Sequence, residues 1–128
     1  MQATEDLSKR TTPLQAQIED LGQLKDGWLD GEGRACTPAL LERAGKFLNQ
    51  LLVDADLPLP RLYPVPDGGI SAEWDVANGE VLLTFDPTAD RVELTAIVAN
   101  KATREAAYAA DGNGLSELKA DLAPYFVV

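Results

Sequence analysis

Ile70-Ser71-Ala72-Glu73-Trp74-Asp75-Val76-Ala77-Asn78-Gly79-Glu80-Val81-Leu82-Leu83-Thr84-Phe85 is the stretch that decides the fold. Ile70, Ala72, Trp74 and Val76 alternate with Ser71, Glu73 and Asp75, and Val81, Leu83 and Phe85 alternate with Leu82 and Thr84. A period of two is that of a strand, whose successive side chains leave opposite faces. Asn78-Gly79 between the two runs predicts a type I′ hairpin turn. With those residues as the loop, Val76 faces Val81, Trp74 faces Leu83 and Ala72 faces Phe85. All six are apolar and share one face. On the other face Asp75 meets Leu82 and Glu73 meets Thr84.

The pattern extends on both sides. Upstream, Pro66-Asp67-Gly68-Gly69 reads as a turn. Leu62 to Pro66 reads as a short strand that Pro64 and Pro66 confine to an edge. Downstream, Asp86-Pro87-Thr88-Ala89-Asp90 is a further turn, and Val92, Leu94, Ala96 and Val98 alternate again. Arg104 to Ala110 suits a helix by its alanines. A turn at Asn100-Lys101 would instead seat Tyr108 on a last strand, and the strand is favoured. Asp111-Gly112-Asn113-Gly114 breaks the chain before a helix carrying Leu115, Leu118 and Leu122, which Pro124 closes.

Before the strands the period is helical. Thr12 can cap a helix, Pro13 fits its first position and Gln15 can complete a capping box. Leu14, Ile18, Leu21 and Lys25 then recur at helical spacing. A glycine-bearing loop from Asp26 to Cys36 follows. Thr37-Pro38 repeats the start signal for a second helix, with Leu41, Ala44, Phe47, Leu48, Leu51 and Leu52 as its apolar stripe. Pro58 and Pro60 are expected to stop it. The expected architecture is therefore α+β: an N-terminal helical hairpin, an antiparallel β-meander of four to five strands, and a C-terminal helix. Residues 1–128 make one domain in this reading, with 1–11 as a loose arm.

Composition narrows the chemistry. A chain of 128 residues can bury about two-thirds of its unfolded surface, so it needs neither disulfide nor metal to fold. Cys36 is the only cysteine, which excludes an intrachain disulfide and fits a reducing, cytoplasmic setting. No apolar run approaches the ~20 residues that span a bilayer. Residues 1–10 lack the apolar stretch of a signal peptide. Net charge is −10, from 21 acidic and 11 basic residues. Phosphate backbones would be repelled, so no direct nucleic-acid contact and no membrane association are expected.

Histidine is absent, which removes the commonest general base and metal ligand together. Ser8, Ser71 and Ser116 have no histidine to activate them. Cys36 precedes a helix start that would lower its pKa somewhat, yet a packed thiol is the expectation. Glu73 and Asp75 share a strand face, at a separation of roughly 7 Å by strand rise. A carboxylate pair could serve acid–base chemistry, but that face reads as solvated. Asp26, Asp30 and Glu32 suggest calcium. The EF-hand register fails, because Trp28 and Thr37 fall at ligand positions 3 and 12 counted from Asp26. From Asp30, Arg34 and Leu41 fall at positions 5 and 12. No Lys-Ser or Lys-Thr follows the glycines to make a phosphate cradle. Catalytic, cofactor-binding and metal residues are accordingly expected to be none, with no cofactor.

What remains is surface. Asp67, Glu73, Asp75, Glu80, Asp86 and Asp90 lie in a stretch without one Lys or Arg. Hairpin geometry places Glu73, Asp75, Glu80 and Asp86 on one face. These six are the candidate partner-binding residues, against the plainer reading of a solvated face.

Trp28-Leu29-Asp30-Gly31-Glu32-Gly33, followed by Pro64-Val65-Pro66-Asp67-Gly68-Gly69-Ile70-Ser71-Ala72-Glu73-Trp74, resembles a widespread group of small bacterial proteins. Their pattern runs W-x-D-G-x-G, a helix, then P-x-P-x-x-G-G-I-x-x-E-W. The resemblance covers about Leu21 to Phe85. It implies a bacterial or phage origin and a non-enzymatic role, and carries over no site residues. The expected function is an acidic, non-enzymatic protein–protein interaction module. It would act as an inhibitor or neutralising protein (antitoxin-, immunity- or anti-CRISPR-like, with nucleic-acid mimicry as one form) against a partner with a basic surface. Two rivals stay open. One is an adaptor docking through an apolar surface such as Tyr125 to Val128; the other is a carboxylate-only enzyme or small-ligand binder. The sequence leaves the oligomeric state undetermined.

Overall fold

The computed structural model describes residues 13–99 and 103–126. Thr12, the arm before it and the Asn100-Lys101 turn lie outside the described residues. Helix α1 covers residues 13–22, and α2 runs Pro38–Asp54. Five strands follow: β1 Arg61–Pro64, β2 Ile70–Val76, β3 Gly79–Phe85, β4 Arg91–Val98 and β5 Arg104–Ala109. Helix α3, Gly112–Leu122, ends in a short 3-10 turn at Ala123–Tyr125. The sheet is an antiparallel meander in the order β1-β2-β3-β4-β5. The expected α+β arrangement is thus observed, with β5 a strand.

Local chemistry explains the boundaries. Thr37 Oγ1 accepts the Leu40 N–H at 3.2 Å, and Pro38 occupies the first turn of α2. That helix stops before Pro58. Asp56 takes a left-handed φ of 52°, and the Leu57 N–H donates back to the Leu52 carbonyl at 3.1 Å. This is a Schellman-type end sealed by buried Leu52 and Leu57. Leu40, rather than the expected Leu41, sits fully inside.

The helices lie on one side of the sheet. Ile70, Ala72 and Trp74 of β2, Val81, Leu83 and Phe85 of β3, and Val92, Leu94 and Ala96 of β4 form one buried layer with α2 and α3. Phe47 meets Phe85 edge to face at 5.7 Å, and Trp74 meets Phe126 likewise at 5.8 Å. Trp74 Nε1 donates to the Pro58 carbonyl at 2.8 Å, so its polar atom is satisfied inside the core.

The hairpin register differs from the sequence reading. Val76 pairs with Gly79, Trp74 with Val81, Ala72 with Leu83 and Ile70 with Phe85. The loop is therefore Ala77-Asn78, with only Asn78 at positive φ (65°). Gly79 lies inside the sheet, paired with Val76 of β2 and Val98 of β4, and only glycine fits there. A Cβ there would lie 2.0 Å from the Ile97 carbonyl oxygen. The slip is two residues, and an even slip leaves every side chain on its expected face. A turn with consecutive positive φ values does form, but at Asp30 (50°) and Gly31 (93°). There Leu29 and Glu32 bridge a miniature hairpin.

Asp111-Gly112-Asn113-Gly114 opens α3 rather than merely breaking the chain. Asp111 Oδ1 caps it by accepting the Gly114 N–H at 2.9 Å. Glycine is required at 114, because a Cβ would sit 1.7 Å from the Ala109 carbonyl oxygen. No helix among the described residues is long and apolar enough to cross a membrane.

Candidate interaction surface

No described helix packs on the second side of the sheet. Antiparallel pairing sets its side chains in rows. Arg61, Glu73, Leu82, Thr95 and Glu105 make one row; Tyr63, Ser71, Thr84, Glu93 and Ala107 make the next. Asp75, Glu80 and Ile97 form a third. This open face carries the acids Glu73, Asp75, Glu80, Glu93 and Glu105 and the bases Arg61 and Arg91. Both guanidiniums are engaged within it, Arg61 with Asp75 at 3.1 Å and Arg91 with Glu93 at 3.1 Å. Among the described residues Glu73, Glu80 and Glu105 have no ion-pair partner. Asp75 stands directly across from Glu80, a repulsive pairing that Arg61 partly offsets.

Of the six acids singled out in the sequence, the structure brings together Glu73, Asp75 and Glu80. Asp86 does not extend their row. Its Oδ1 accepts the Thr88 and Ala89 N–H groups at 2.8 and 2.9 Å. Those bonds hold the Asp86 carboxyl below its ordinary pKa. Asp90 reaches across to Arg43 of α2 at 2.6 Å, and Asp67 Oδ1 accepts the Gly69 N–H at 2.8 Å in its own turn. A stretch without a base in sequence is thus compensated in space by arginines from α2 and β1. Glu93 and Glu105 were missed because they fall outside that stretch. The alternation of Val92, Leu94 and Ala96 was the signal that Glu93 faces outward.

The two halves of the tryptophan–glycine pattern meet. The Arg34 N–H donates to the Pro66 carbonyl at 2.9 Å, and the Cys36 thiol contacts the Gly69 carbonyl oxygen at 3.6 Å. Trp28 Nε1 donates to the Arg34 carbonyl at 2.9 Å, with its ring against Gly33. Asp26 Oδ1 accepts the Ala35 N–H at 2.9 Å, closing the loop. These residues hold the interhelical loop onto the turn before β2.

Burial, reinforced by the charge of Asp67, pushes the Cys36 thiol up from its ordinary pKa. The expected lowering by the α2 start is overridden, and the protonated thiol is a packing group. Among the described residues no group of three or more His, Cys, Asp or Glu side chains is placed to hold a metal ion. Tyr125 and Phe126 pack against the core, which withdraws half of the apolar tail that an adaptor would use. Val127 and Val128 lie outside the described residues. No family model, curated protein or solved structure matches this chain.

Proposed function

We propose that this chain is a non-enzymatic interaction module whose open sheet face receives a protein partner with a basic surface. The observation that carries the reading is the face itself: among the described residues it sets five carboxylates against two guanidiniums, both already engaged by carboxylates of that face. Such a surface steers basic partners and disfavours nucleic acid. An inhibitor or neutralising protein of a bacterial or phage conflict system is the role that fits, since blocking a basic groove requires only presented carboxylates. Mimicry of a nucleic-acid backbone is one form of that role.

The test is capture from extracts of the native host at low and high salt. The bait is the wild-type chain, the double variant Glu73→Lys/Glu80→Lys, or the control Glu19→Lys/Glu117→Lys, which changes charge equally on exposed helix positions. A protein retained by wild type and control, lost from the face variant and released by salt is the expected result. Equal retention by both double variants would show that the face is only solvated.

A further inference from the structure

The two edges of the sheet are built differently. Val65 donates to the Gly69 carbonyl at 3.0 Å, so odd-numbered residues of β1 point their backbone groups at β2. The outward edge then belongs to Pro60, Leu62 and Pro64. Two of these have no N–H. The third, Leu62, donates to Gln17 Oε1 at 2.8 Å, while Gln17 Nε2 donates to the Pro60 carbonyl at 2.9 Å. The side-chain amide of α1 stands where a neighbouring strand would, and that edge offers no donor.

At β5 the parity is set by the Ala110 N–H, which donates to the Asp90 carbonyl at 3.0 Å. Even-numbered residues of β5 therefore face β4, and the N–H and C=O groups of Glu105 and Ala107 point outward. Both residues are exposed, and those groups have no partner among the described residues. Among the described residues no proline, bulge or covering side chain protects them, and of the usual devices at such an edge only the charge of Glu105 is present. Beside this edge, on the open face, lies a groove of about 310 Å³ lined by Arg91, Glu93, Thr95, Glu105, Ala106 and Ala107. It exists because Ala107 is small while Glu93 and Glu105 flank it.

We infer that β5 accepts an extended, basic segment of a partner protein as a sixth strand, with an Arg or Lys side chain lying in the groove over Ala107. Backbone hydrogen bonds to Glu105 and Ala107 supply the pairing, and the alternation of the incoming strand supplies selectivity. A residue opposite Glu105 meets its carboxylate directly. The next residue on the same face lies opposite Ala107 and reaches toward Glu93, one strand further in at ~5 Å strand spacing, where it shares that carboxylate with Arg91, its ion-pair partner at 3.1 Å. A second copy of this chain is the poorer occupant. Each copy carries −10, and pairing two short edges buries far less than the ~1,000 Å² that a stable interface needs.

The inference rests on the basic-partner reading above and is tested separately from it. The probe is a synthetic peptide, Thr-Lys-Val-Arg-Val-Lys-Thr, followed by fluorescence anisotropy. The same peptide N-methylated at alternate residues, in both alternations, is the comparison. Ala107→Pro removes only an outward N–H, so the pairing with β4 is kept. Binding of the parent peptide, weakened about tenfold or more by Ala107→Pro and by one of the two methylation patterns, is expected from the loss of one or two hydrogen bonds. If both methylated peptides bind as well as the parent, or the parent does not bind, the sixth strand is refuted. Should Ala107→Pro fail to fold, the methylated peptides decide alone. An extract protein lost from Glu73→Lys/Glu80→Lys but kept by Ala107→Pro would remove the edge inference and leave the face reading standing.

Discussion

Replacing Gln17 by methionine keeps the length of the side chain and removes both of its hydrogen bonds to the β1 edge. Leu62, whose N–H is one partner, is only 9% exposed, so water replaces the lost acceptor poorly. Two bonds at ~0.5–1.5 kcal/mol each, or one stranded donor at ~1–3 kcal/mol, give the same range, and Gln17→Met should cost about 1–3 kcal/mol. Urea unfolding followed by tryptophan fluorescence measures it, with Gln15→Met, exposed on the same helix, as the control expected within ~0.5 kcal/mol of wild type. Amide exchange at Leu62 should accelerate in Gln17→Met alone. If the two variants unfold at the same urea concentration and Leu62 stays protected, the amide does not close this edge.

Three further outcomes are expected. Trp74→Ala removes a side chain only 3% exposed together with its bond to Pro58; about 3–5 kcal/mol should be lost in the same assay. Gly112→Ala, with open space around the new Cβ, should stabilise α3 by up to ~1 kcal/mol. Gly114→Ala, aimed at the Ala109 carbonyl oxygen, should instead destabilise by about 1–3 kcal/mol, and thermal melts separate the pair. Burial, with the hydrogen bond from the Tyr108 hydroxyl to Asp121, pushes the Tyr108 phenol from an ordinary 10.0 up to about 12. Because the folded-state pKa is the higher one, its contribution is complete below pH 10 and fades as pH rises through about 12. Ultraviolet phenolate titration should show a late component that is absent in Tyr108→Phe.

The strands and their inward faces were legible in the sequence because period two is a local property, and Trp74, Leu83 and Phe85 declare it without help from elsewhere. Register was less legible. The turn falls at Ala77-Asn78 rather than Asn78-Gly79, and Gly79 serves instead as the residue that tolerates the close approach of Ile97, some twenty residues downstream. The exchange of Leu41 for Leu40 in the core is of the same kind, since one position on a broad apolar stripe is decided by what packs on it. At the candidate surface, alternation placed Glu73, Asp75 and Glu80 correctly. It could not reveal that Arg61 and Arg43 would reach Asp75 and Asp90, or that Asp86 would turn back to cap its own loop. Gln17 had no signature at all. A helix glutamine becomes a strand surrogate only through the packing of α1 beside β1.

The strict sequential order of the meander bears on how the molecule assembles. Every strand pairs only with its neighbours in the chain, across short connections such as Ala77-Asn78. Closing such short loops loses little chain entropy, so the strands can zip from any hairpin outward. Distant segments are joined elsewhere, at Gln17 to Pro60 and Leu62, Arg34 to Pro66 and Arg43 to Asp90. Each of these joins the helical hairpin or its loop to the sheet. Local zipping of the strands is therefore expected to precede the contacts that close longer loops. Substitutions at those three contacts should chiefly speed unfolding, while substitutions in the β2–β3 hairpin should slow folding.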